Sequence, residues 1–167
     1  VNKLRAAIAE FQSVIKDGDT HQGTAADPFE CKYGCGMTAA ACVLKADGTI
    51  AEGFYLTLKD AIAAANAGDT VKLLKDITLT AADGYIKCDG INNVFFRIDK
   101  SLTIDGNNHL ITNAATARLF YIWGTNINFE LKNLTAECTN DPGWGSDGSF
   151  VTIDEHYGHS GNLTITD

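Results

Sequence analysis

The sequence predicts an all-β fold with N-terminal helices, in which a parallel β-helix (a solenoid) is capped by a helix. Three observations predict it. Four short stretches repeat one strand pattern: Ile77-Thr78-Leu79-Thr80, Leu102-Thr103-Ile104-Asp105, Asn133-Leu134-Thr135-Ala136 and Leu163-Thr164-Ile165-Thr166. Such recurrence marks stacked units that cannot bury an apolar face alone. After Thr70 the apolar period changes from helical to two. Turn residues separate the apolar runs, as at Asp83-Gly84, Asp89-Gly90, Asp105-Gly106-Asn107-Asn108 and Gly158. Short strands without interleaved helices exclude a doubly wound α/β fold.

The elements follow in order. Residues 3–17 read as an amphipathic helix, with Leu4, Ala7, Ile8, Phe11, Val14 and Ile15 on one stripe and Gly18 as its stop. Residues 19–30 are polar, contain Pro28 and read as a connector. Residues 31–53 hold three cysteines and a hairpin, Ala41–Lys45 with Thr49–Glu52, turning at Asp47-Gly48. The chain therefore divides into an N-terminal segment, 1–53, and a β-helix unit, 54–167. Residues 57–67 form a helix capped by Thr57, with Asp60 in capping-box position and Gly68 as its stop. Its buried stripe is Leu58, Ala61, Ile62 and Ala65. Beyond it, about three to four coils are expected. Their interior is assigned to Val71, Leu73, Leu79, Ile98, Leu102, Ile104, Ile122, Phe129, Leu131, Ile153, Leu163 and Ile165.

Composition limits the partners. The 167 residues suit one domain, and 45% apolar against 20% charged residues gives a globular chain. The net charge is −8 and the pI about 4.8. Nucleic acid and anionic membrane surfaces repel such a chain. No apolar run approaches the roughly 18 residues of a membrane span. The sequence starts at Val1 without Met, which reads as a processed mature chain or a piece of a longer one.

The segment from Tyr55 to Leu79, YLTLKDAIAAANAGDTVKLLKDITL, resembles the leading helix and first coil of pectate-lyase-like, right-handed parallel β-helix domains. Lys100 to Thr112, KSLTIDGNNHLIT, resembles a common coil of that family. The resemblance covers residues 54–167. It implies a right-handed solenoid of the kind found in polysaccharide lyases and hydrolases, and in adhesin-like bacterial surface proteins. The Cys31-Lys-Tyr-Gly-Cys35-Gly segment resembles a cysteine pair that precedes such coils in some gut-type surface proteins. The resemblance places the protein outside the cell or on its surface.

Candidate chemistry is sparse. Asn140-Asp141 and Gly158-His159 resemble motifs of pectin-hydrolysing β-helices, but the second acidic pair and the Arg-Lys motif are missing. An inverting hydrolase needs two carboxylates about 6.5–9.5 Å apart. Asp141, Asp147, Asp154 and Glu155 offer no spacing that selects a pair. The basic residues a lyase needs are scattered, from Lys72 to Lys132. The chain is therefore expected to be non-catalytic, with no cofactor. A carbohydrate-binding or polysaccharide-degrading β-helix is the alternative.

Five cysteines leave an odd thiol. Cys31, Cys35 and Cys42 are the candidate disulfide cysteines, with free thiols or a zinc site adding His21 as alternatives. Cys88 and Cys138 are expected as small apolar fillers at coil corners. Three aromatics are candidate ligand contacts. Tyr121 and Trp123 alternate with the core residues Phe120 and Ile122 and are expected on an outer face. Trp144 sits in a Gly-rich loop whose Asp and Asn residues could hold calcium. Asn133 and Asn162 match the glycosylation pattern. The expected partners are further coils or other copies of the chain, with residues 3–17 docking head to tail on a neighbour's last coil. A carbohydrate or host-surface ligand is the alternative partner.

Overall fold

The computed structural model describes residues 20–21, 38–139 and 149–167. The expected helix over 3–17, Cys31, Cys35, Asp141, Trp144, Asp147 and the calcium loop lie outside them. The described chain is mostly β, with one α-helix and three sheets.

The local signals at the start act as expected. β1 (Thr20–His21) pairs antiparallel with β3 (Ile50–Tyr55), and β3 pairs antiparallel with β2 (Ala41–Leu44). Asp47 closes the β2–β3 turn by accepting from the Thr49 N–H at 2.9 Å and its hydroxyl at 2.6 Å. Gly48 supplies the positive φ of +81°. β3 extends beyond the expected Glu52 because Phe54 and Tyr55 pair with Cys42 and Ala41. Helix α1 (Leu58–Ala64) begins at Thr57, whose hydroxyl accepts from Asp60 N–H at 3.1 Å and donates to the Asp60 carboxylate. It buries Leu58, Ala61 and Ile62. It ends earlier than expected. Asp69 accepts from Asn66 N–H at 2.8 Å and Gly68 N–H donates to Ser101 C=O at 2.8 Å, so a turn tied to the next strand replaces the last helical residues.

After α1 the chain visits three sheets in one repeating order. β4 (Thr70–Leu73) leads to β5 (Ile77–Leu79), then β6 (Ile86–Cys88) and β7 (Ile91–Ile98). β8 (Leu102–Asp105), β9 (Leu110–Asn113) and β10 (Arg118–Ile122) follow the same course. So do β11 (Ile127–Lys132), β12 (Thr135–Cys138) and β13 (Val151–Ile153), before β14 (Gly161–Thr166) returns to the first sheet. Sheet orders are β1-β3-β2-β4-β8-β11-β14, β5-β9-β12 and β6-β7-β10-β13. The sheets are mixed. β4–β8–β11–β14, β5–β9–β12 and β7–β10–β13 are parallel, while β2–β4 and β6–β7 are antiparallel.

The registers set apolar side chains in columns. Val71, Ile104, Leu131 and Ile165 lie in line, as do Leu102, Phe129 and Leu163, and Ile98, Ile122 and Ile153. Phe96 and Phe120 are register partners with ring centroids 5.4 Å apart, and Phe120 meets Phe129 at 5.2 Å and Phe150 at 5.7 Å. Nine of the expected core residues are buried, Val71 through Leu131. Ile153 is half-buried, while Leu163 and Ile165 are exposed by 38% and 64%. That is a correction with a plain cause: among the described residues β14 is the end strand of its sheet and has a strand neighbour only in β11.

Candidate functional site

Tyr121 is buried, which corrects its expected outer placement. It stands in β10 in register with Arg97 and Thr152. Cys88 and Val94, with Ile86 and Trp123, close over it in a small satellite cluster. Trp123 is half-buried in the turn that follows β10.

Three turns converge here. Asp89, with φ +47°, opens the β6–β7 turn. Trp123 and Gly124 lead toward β11. In the β13–β14 connection, Asp154 caps a 3₁₀ turn by accepting from His156 N–H at 3.1 Å, Gly158 adopts a left-handed conformation, and His159 turns inward, 8% exposed. The His159 Nε2 meets the Asp89 carboxylate, and Tyr121 O–H donates to the same oxygen at 3.1 Å. Gly124 N–H donates to His159 Nδ1 at 3.0 Å. Nδ1 therefore carries no proton, and Nε2 is the protonated nitrogen that donates to Asp89. Trp123 stacks at 4.9 Å on the imidazole, and the Arg97 guanidinium sits 5.5 Å from the indole centroid. Arg97 also pairs with Asp99 at 3.1 Å. Burial first, then the bond to Asp89, pushes the Tyr121 phenol pKa well up.

This network is closed. Both imidazole nitrogens are engaged, so neither lone pair is left to take a proton from a substrate. The arrangement fastens the β13–β14 connection to the β6–β7 and β10–β11 turns. Sequence reading singled out Tyr121, Trp123 and Gly158-His159 but missed Asp89. Its turn signal, Asp89-Gly90, holds nothing that points to a histidine so far along the chain.

The other acids likewise serve corners and strand ladders. Asp76 accepts from Leu110 N–H at 3.0 Å and meets His109 Nδ1 at 3.1 Å; these bonds, the amide first, lower its carboxyl pKa. Asp83 accepts from the Thr80 N–H at 2.7 Å in a capping box. Glu130 accepts from Thr103 at 3.0 Å and Glu137 from Thr112 at 2.9 Å. Asp154 holds its own turn, and Glu155 is exposed. A cleft of about 340 Å³ lies beside α1, with Leu58, Leu79, Phe95 and Phe96 as its apolar wall and Lys59 and Lys75 at its rim. The Lys75 amine already donates to Thr38 C=O at 3.0 Å.

Cys42, one of the three candidate disulfide cysteines, is a free thiol, while Cys31 and Cys35 lie outside the described residues. It lies in register with Lys72 and is only 3% exposed. Burial raises its pKa, and Lys72 opposes the shift. Cys88 is buried as expected, whereas Cys138 is exposed on the edge strand β12 instead of filling a corner. Among the described residues no group of three or more His, Cys, Asp or Glu side chains is placed to hold a metal. Comparison with protein-family models, with curated proteins and with solved structures returns no match.

Proposed function

We propose that the chain is a non-catalytic structural or adhesive protein of the cell surface, built on a short, right-handed parallel β-helix like that of the pectate-lyase-like domains it resembles. The observation that carries this reading is the repeated visiting order of the three sheets, with parallel strands stacked in register. A chain that returns to the same three sheets in the same order winds a solenoid, and right-handed winding is the ordinary hand of parallel connections. The use made of the polar groups supports the non-catalytic part. Asp76, Asp83, Asp89, Asp105, Glu130 and Glu137 bond to turns or to the neighbouring strand, which is the work of a scaffold. The extracellular setting follows from the resemblance to adhesin-like coils.

The test is an assay of the purified chain against pectin and polygalacturonate, read as unsaturated product in the ultraviolet and as new reducing ends. No product above a boiled control is expected. Accumulating product would overturn the reading in favour of a polysaccharide-degrading β-helix.

A further inference from the structure

The edge of β14 points to a partner, and this inference rests on the solenoid reading above. β14 pairs with β11 along its whole length and, among the described residues, ends its sheet. Ile127 N–H donates to Ser160 C=O at 3.2 Å, and Asn133 N–H to Thr166 C=O at 3.1 Å. Peptide groups alternate sides along a strand, so those of Gly161, Leu163 and Ile165 face away from β11. The side chains of Leu163 and Ile165, 38% and 64% exposed, continue columns that are buried further back at Phe129 and Leu131. From Gly161 to Thr166 there is no charged residue and no proline, the usual guards of an edge.

The other end of the same sheet is different. There, among the described residues, β4 is followed by the antiparallel strands β2, β3 and β1. A head-to-tail contact would therefore set β14 against a strand of the antiparallel part and would not continue the parallel stack. The uncharged β14 edge matches itself, because self-pairing sets no like charges across the contact.

We propose that β14 binds β14 of a second copy, antiparallel, about a two-fold axis at Leu163. In that register Leu163 faces Leu163 and Gly161 faces Ile165 of the other copy. In an antiparallel pair, facing residues whose peptide groups point toward each other exchange both hydrogen bonds, and these alternate with non-bonded pairs. The outward-facing residues are the odd-numbered ones, so this register satisfies each of them. An axis perpendicular to the sheet keeps the apolar side chains of both copies on the interior face. The contact is isologous and closes at two copies, unlike the open-ended fibre expected from head-to-tail docking. Each copy carries a formal −8, so added salt strengthens association by screening the repulsion.

Sedimentation equilibrium of the whole chain tests this. The expected result is a concentration-dependent species of twice 17.9 kDa whose share grows with salt. A variant with Leu163→Lys and Ile165→Lys should sediment as a monomer with an unchanged circular dichroism spectrum. Ile50→Lys, which alters a 52% exposed apolar residue on β3, should leave the dimer intact. A wild-type monomer at all concentrations, growth beyond two copies, a dimer that survives the double lysine change, or loss of the dimer in Ile50→Lys would each overturn the proposal. A monomer with an intact β spectrum would remove the pairing alone and leave the solenoid reading standing.

Discussion

The cluster around Tyr121 shows how one carboxylate can order three turns. Asp89 receives a hydrogen bond from a phenol and another from an imidazole, and the imidazole is held from its other side by Gly124 N–H. Replacing Tyr121 by Phe keeps the ring and removes one bond to a charged group, which costs about 1.5–3 kcal/mol. The cost depends on pH. The folded-state pKa of Tyr121 is raised, so its contribution is fully present below the unfolded value of about 10 and is lost as pH rises beyond it. Urea unfolding should therefore show wild type more stable than Tyr121→Phe at neutral pH, with the gap narrowing above about pH 10. A gap that stays constant through that range would show that the phenol does not titrate with the fold.

The corners between elements depend on close backbone approach. Gly106 leaves β8 with its N–H donated to Lys132 C=O at 2.8 Å. A Cβ there would strike the Asn133 carbonyl oxygen and come within 2.6 Å of Leu134 Cα. Beside it, Asp105 accepts from Asn107 N–H at 2.9 Å and from the Asn133 side-chain amide at 3.1 Å, and Asn107 reaches Leu73 C=O at 3.2 Å. Asn107 and Asn133 both adopt positive φ, near +50°, at equivalent turns. Gly106→Ala should thus destabilise by about 1–3 kcal/mol, because backbone rather than a movable side chain must yield. A thermal melt matching wild type would refute the contact. Features with local causes were legible in the sequence: the Asp47-Gly48 turn, the Thr57 cap and the period-two strands each act within a few residues. Phe95 and Phe96 are both buried, as are all residues of β10, so strict alternation fails where a second layer covers the strand. Tyr121 was misplaced for that reason. Its cover comes from Cys88 and its anchor from Asp89, which pairing with β7 and the turn beyond brings close, and no periodicity encodes that.

Across the whole molecule, stability should follow position along the columns rather than residue type. Ile104 and Ile165 are chemically identical and share one column, with Val71, Ile104 and Leu131 successive register partners and Ile165 beyond them. Ile104 is 0% exposed, held between filled neighbours on both sides, whereas Ile165 has a neighbour on one side and is 64% exposed. Ile104→Ala leaves a cavity that its neighbours, fixed by their own ladders, cannot close, and should cost about 2–5 kcal/mol. Ile165→Ala, measured at concentrations low enough to keep the chain monomeric, should stay within about 0.5 kcal/mol of wild type. Urea unfolding separates the two through the midpoint at constant slope, since neither change alters the surface exposed on unfolding by much. Equal costs at the two positions would mean that the interior is not a stack of successive coils, and the solenoid reading would fall with it.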